Sequence, residues 1–99
     1  MTIIIDYEHG AQEEDALEEL RRDGFAAAVV DYAPGRTEPH SHDYDICLHI
    51  LDGEFRLTDV ARQTVHSCGP GTRLFVGKGT PHFEDHGELR MAVGRRQPG

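Results

Sequence analysis

Apolar and polar positions fall into two textures that meet at Gly24. Residues 11–23, AQEEDALEELRRD, contain neither Pro nor Gly and are rich in Ala, Leu and Glu. Acids crowd the first turns and Arg21-Arg22 the last, the order a helix dipole favours. Gly24 then stands where a helix-ending residue belongs. Ala16, Leu17 and Leu20 form the apolar stripe, which predicts a short helix packed through a narrow face. Ahead of it, the β-branched run Ile3-Ile4-Ile5 turns polar through Asp6, Glu8, His9 and Gly10. Beyond Gly24 the stretch Phe25–Ala33 is small and β-branched, and Pro34-Gly35 punctuates it. Short strand-like runs follow: Ile46–Leu51, Glu54–Val60, Gln63–Ser67, Arg73–Val76, Pro81–Asp85 and Leu89–Val93. Breaks fall at Asp52-Gly53, around 59–62, at Gly69-Pro70-Gly71, at Gly77-Lys78-Gly79 and at His86-Gly87-Glu88. Short strands with turn signals at this spacing predict an antiparallel sandwich or barrel.

Ninety-nine residues leave room for one domain. No run of ten apolar residues occurs, so a transmembrane helix is not expected. The opening residues lack a basic segment followed by a long apolar one, which argues against a signal peptide and for a cytoplasmic protein. Eighteen acids against ten bases give a net charge of −8, which repels nucleic acid and anionic membranes; neither is expected as a partner. In a reducing compartment Cys47 and Cys68 read as free thiols, one a small buried apolar group and the other a turn thiol. No local basic partner is evident to activate either.

The chemistry lies in the seven histidines. His40-Ser41-His42 puts two imidazoles on one face of an extended segment. Gly79-Thr80-Pro81-His82 delivers a third from a tight turn, with His86 four residues later, and Asp43, Asp45 and His49 lie between the two groups. Neutral imidazoles suit Zn²⁺, Fe²⁺, Ni²⁺, Cu²⁺ and, less well, Mn²⁺ at roughly 2.0–2.2 Å. His49 alternates with Leu48 and Ile50 and is expected to face away from them, exposed or at an interface. His9 and His66 carry no motif and read as surface residues.

Around these histidines runs a frame of glycines: Gly35-x4-His40-x-His42, then Gly53, then Gly71-x5-Gly77-x-Gly79-x2-His82. The segments Ala33–Phe55 and Gly69–His86 resemble the two motifs of the cupin family, in the same order and at about the same separation. The resemblance covers residues 25–96. It implies an all-β fold, a cupin-type jelly-roll β-barrel with one short N-terminal helix. Residues 1–24 would be a strand/helix extension, 25–96 the barrel and 97–99 a frayed tail. His40, His42 and His82 fall on the family's metal-binding histidines, which implies one divalent transition metal per chain: Zn, Fe, Ni or Mn. The family's Glu falls on Ile46, one position after Asp45. Asp45 is the fourth ligand if a bulge or loop turns it inward, and a solvated or turn-capping acid if strand alternation holds. The family's Asn position is His86, which reads as a hydrogen-bonding rim residue or a proton shuttle near neutral pH.

With the histidines pointing inward, Ile46, Leu48 and Ile50 would line the pocket, and Phe55, Phe75 and Phe83 are further candidates whose phase is open. Such a lumen suits a small organic ligand bound half by metal and half by an apolar wall. Exposed strand edges, and the family's habit of dimerising, lead to an expected homodimer. Fold says little about activity. Three readings stand: a metal-dependent small-molecule enzyme of dioxygenase, isomerase or decarboxylase type; a non-catalytic metal- or ligand-binding sensor or storage module; or a barrel that has lost its chemistry.

Overall fold

In the computed structural model, residues 2–97 are described; Met1, Pro98 and Gly99 lie outside them, and with the last two goes most of the expected 97–99 tail. The elements are β1 (Ile3–Asp6), α1 (Glu13–Arg22), β2 (Ala26–Tyr32), β3 (Gly35–Arg36), β4 (Asp45–Asp59), β5 (Thr64–Cys68), β6 (Arg73–Val76) and β7 (His82–Arg96). α1 starts two residues inside the predicted helix and stops as expected. Gly24, at φ +88°, lets Gly24 N–H reach Arg21 O (3.1 Å) and Phe25 N–H reach Leu20 O (2.9 Å). Those two bonds satisfy carbonyls that the last turn would otherwise leave open. No helix among the described residues is long and apolar enough to cross a membrane.

The strands form a jelly-roll barrel around two long members. The sheet order is β1-β6-β4-β7-β2, all antiparallel, with β5 added to β4 and β3 to β7. β4 and β7 each span two of the runs separated in the sequence reading, because Asp52-Gly53 and His86-Gly87-Glu88 bend the chain without ending the strand. The first half of β4 pairs with β6 and with the second half of β7; its second half pairs with β5 and with the first half of β7. Register shifts between Ile50 and Asp52 and between Gly53 and Phe55 mark the bend. Gly53 sits at φ +91° with its backbone packed on the turn of β7: an added Cβ would lie 2.2 Å from the Glu88 carbonyl oxygen. A side chain there is excluded on both counts.

The bend reverses the strand's phase. Before it, even-numbered Leu48 and Ile50 enter the lumenal core; after it, odd-numbered Phe55 and Leu57 do. Along β7 the phase changes from His82 to Leu89, Met91 and Val93. The lumenal core comprises these residues with Cys68, Leu74 and Val76, and Ile3, Ile5, Val30 and Tyr32 pack against it. A second core lies on the outer face of β4 and β7, where Ala16, Leu20 and Phe25 meet Cys47 and Ala92. Full burial of Leu20 is worth about 1.5–3 kcal/mol, which offsets the poor intrinsic stability of a ten-residue helix. Gly94 makes the close approach possible, since a Cβ there would stand 2.9 Å from the Cβ of Phe25.

Candidate functional site

One rung of backbone hydrogen bonds sets two imidazoles side by side. His40 N–H donates to His82 O and His82 N–H to His40 O, both at 2.9 Å. Residues paired in this way project side chains to the same face. His42 follows two positions on, its carbonyl held by Gly79 N–H at 2.9 Å. The ring centroids lie 4.5 Å apart for His40 and His82, 4.9 Å for His40 and His42, and 5.4 Å for His42 and His82. One nitrogen from each falls within 4.8 Å of the other two.

The outer nitrogens decide which way the lone pairs point. His40 Nδ1–H donates to Glu38 O at 2.7 Å and His82 Nδ1–H to Thr80 O at 2.8 Å. A carbonyl only accepts, so both rings carry a proton on Nδ1 and, as neutral imidazoles, turn the Nε2 lone pair inward. His42 stacks on Tyr44 at 5.0 Å. Burial, with the neighbouring His40 and His82, holds its pKa below the ordinary histidine value, so it too is a neutral donor near pH 7.

The carboxylate beside these rings is Glu84. Its oxygens stand 3.8 Å from His40 Nε2 and 3.9 Å from His82 Nε2, on the same face of β7 as His82. Thr37 fixes its backbone from across the strand, donating N–H to Glu84 O (2.9 Å) and accepting Glu84 N–H on Oγ1 (3.0 Å). The sequence reading missed Glu84; the alternation His82-Phe83-Glu84 was the available signal.

Asp45 is corrected. The register of β4 is regular at Asp45, which pairs with Arg96, so no bulge turns it inward. Its carboxylate is engaged elsewhere, accepting Lys78 N–H at 2.9 Å and Arg96 Nη2–H at 3.1 Å. These partners hold its carboxyl below the usual range, the Lys78 amide first. It braces the 77–80 turn that carries His82 rather than joining the imidazoles. His86 is also placed away from them: its ring stacks on Phe55 (6.2 Å) and meets Tyr32 edge-on (5.7 Å), and Nδ1–H donates to Gly87 O at 2.8 Å. A proton shuttle at His86 would have to work across Tyr32. Among the aromatic candidates, Phe55 is lumenal core and Phe75 packs on the outer face.

His49 does face away from the lumen, yet it is 1% exposed, because α1 and the loop after β1 cover it. His9 is likewise no free surface residue, being held between Asp6 and Glu19. Cys47 does have a basic neighbour, Arg73 Nε–H at 3.2 Å from its sulfur; burial nevertheless outweighs it and raises the thiol's pKa. Cys68 is buried at the end of β5, and burial pushes its thiol up to about 11. Neither is a nucleophile.

The three histidines and Glu84 open onto a cavity of about 130 Å³ walled by Ile46, Leu48, Val76, Met91 and Val93, with Tyr32 and Arg95 at its polar margins. Ile46 and Leu48 thus line it as expected, while Ile50 is sealed into the core beyond. Three inward lone pairs, two with their second nitrogen fixed by a carbonyl, and an adjacent carboxylate form a donor set that fits a divalent transition ion.

No family model matches the chain, and no curated protein matches it in sequence. Solved structures do. A DUF861-family protein from Thermotoga maritima superposes with a TM-score of 0.66 at 14% identity, over 93% of this chain and 97% of that one. A cupin-2 domain protein from Shewanella frigidimarina gives 0.62 at 17% identity, over 75% and 71%. The polyketide cyclase RemF from Streptomyces resistomycificus gives 0.62 at 25% identity, over 80% of this chain and 62% of the cyclase. The fold is that of a small cupin.

Proposed function

We propose that this protein binds one divalent transition-metal ion (Zn, Fe, Ni or Mn) in its lumen through His40, His42 and His82, with Glu84 in place of Asp45 as the fourth ligand. The ion's open coordination position would face a small organic molecule. The observation that carries the reading is the convergence of one nitrogen each from His40, His42 and His82, two of the rings being held by Nδ1–H bonds to Glu38 O and Thr80 O that leave Nε2 turned inward. Such a bond at the second ring nitrogen fixes the tautomer and orientation of a metal-ligating histidine, and at His40 and His82 it acts on rings whose nitrogens converge with that of His42. When bound, such an ion supplies Lewis acidity and, at an open position, polarises a coordinated oxygen. Ile46, Leu48, Val76, Met91 and Val93 would bury the organic part of the ligand and exclude water from it. Arg95 at the margin favours a ligand with an anionic or strongly polar end. A cavity of about 130 Å³ limits the buried part to a few heavy atoms.

The test is reconstitution. Chelated wild-type protein and the His40→Ala/His42→Ala variant, made without a histidine tag, are each loaded with Zn²⁺ or Fe²⁺ and assayed for bound metal. The variant is expected to hold one equivalent less per chain at unchanged circular dichroism; equal metal content in the two would sink the proposal. Oxygen uptake by the Fe²⁺ form over thiols, diketones and catechols then separates an oxygenase from a binding module. The expected homodimer belongs to this proposal as well: β1 ends the sheet with Ile4 60% exposed, and sedimentation at micromolar concentration measures the mass.

A further inference from the structure

On the opposite face of β4 from the lumen a second group of donors converges. His9, Glu19 and His49 come from the loop after β1, from α1 and from β4, and their donor atoms lie within 4.8 Å of one another. They line a small cavity of about 60 Å³ with Gln12, Asp15 and Ala16. His49 is 1% exposed, and its Nε2 is a fully buried polar atom with no hydrogen-bond partner among the described residues. An orphan of this kind is rare and calls for an explanation.

The other two donors are already oriented as a metal site would need them. His9 presents Nε2 to both Glu19 oxygens at 2.8 Å, while its Nδ1 is 2.7 Å from Asp6 Oδ2. Each nitrogen of His9 thus faces a carboxylate, so in the absence of an ion a proton must sit between Nε2 and Glu19. A metal cation substitutes for that proton, and the Asp6–His9 pair becomes the carboxylate–histidine arrangement that supports metal ligands. Arg73 Nη1–H donates to Glu19 Oε1, which leaves Oε2 as the oxygen free for an ion, and His9 N–H donates to Gly71 O at 2.8 Å to anchor the loop. Asp15, one turn before Glu19 on α1, lines the same cavity. Four-coordinate donors at Zn²⁺ bond lengths stand about 3.4 Å apart, so the group closes with movement on the order of an ångström.

We infer that His9, Glu19 and His49 form a second divalent transition-metal site, of the two-imidazole, one-carboxylate type that suits Zn²⁺, which pins the N-terminal helix to the barrel. It is independent of the lumenal site. The experiment therefore uses the full chain carrying His40→Ala/His42→Ala, chelated and then titrated with Co²⁺ and Zn²⁺. One equivalent is expected to bind, with the intense visible absorption of low-symmetry Co²⁺. Zn²⁺ should raise the melting temperature by roughly 5 °C or more at saturation. Adding His9→Gln, at a position 24% exposed, should weaken Co²⁺ binding at least tenfold and abolish the thermal shift. His49→Gln should do the same if it folds. No Co²⁺ binding in the His40→Ala/His42→Ala chain, or binding that His9→Gln leaves untouched, overturns the inference.

Discussion

Glu84 stands two residues after His82 on β7, its carboxylate 3.9 Å from His82 Nε2 and 3.8 Å from His40 Nε2. Both separations exceed a hydrogen bond, so the acid flanks the space between the rings without closing it. Glu84→Gln keeps the size of the side chain and removes the charge. It is expected to weaken binding of a lumenal ion by at least about tenfold, since loss of an outer-shell partner alone costs about 10–100-fold. Competition with a chelator of known affinity, in a His9→Gln background, checks this; an unchanged affinity removes Glu84 from the ligand set.

Asp45 has the opposite role. Its carboxylate satisfies the Lys78 amide and the Arg96 guanidinium at a 9% exposed position. Asp45→Asn should destabilise the fold by about 1–3 kcal/mol, because partners of a buried charge are left imperfectly paired. Because its folded pKa is depressed, this stabilisation is present above about pH 4 and is lost as pH falls through the lowered value. Urea unfolding at pH 7 and pH 3 measures both effects, and lumenal metal affinity should move little at neutral pH.

His49 makes the metal-free protein sensitive to mild acid. Burial, and after it Arg73, pushes its pKa down to about 4. A depressed histidine contributes stability that is intact above its unfolded value near 6.5 and drains away as pH falls towards 4, in all about 3 kcal/mol. His9, whose pKa is raised by Asp6 and then Glu19, works the other way: its share is present below about 6.5 and lost as pH rises through the raised value. In chelated protein, His49→Leu should therefore match wild type near pH 7.5 and exceed it at pH 5. Parallel stability profiles for the two would count against this assignment.

The bend of β4 should tolerate no side chain. Gly53→Ala meets both a positive φ and a 2.2 Å clash with the Glu88 carbonyl, and is expected to lose at least about 2 kcal/mol. At Gly87, on the facing bend, an added Cβ touches nothing within 4 Å, and Gly87→Ala should stay within about 0.5 kcal/mol. Thermal melts of the two variants suffice, and similar losses would mean that the clash does not govern.

Local sequence was enough wherever the cause is local. The acid-to-base gradient from Glu13 to Arg22 and the positive-φ glycine at 24 define α1, since capping and dipole effects act within a turn. His40-x-His42 and the turn before His82 were legible as a gathering of imidazoles, because spacing sets which face a side chain takes within one straight strand. That rule stops at the bends. The register shifts around Gly53 reverse the phase of β4, so whether Phe55 enters the lumen depends on how β4 crosses β7, which strand alternation alone does not give. Only the fold decided that Glu84, 42 positions after His42, stands beside His40 and His82 while Asp45 turns to Lys78 and Arg96, and that His9 and Glu19 gather at His49. Contacts of that kind follow from three-dimensional packing of strands and helix far apart along the chain, and a one-residue change of register would undo them.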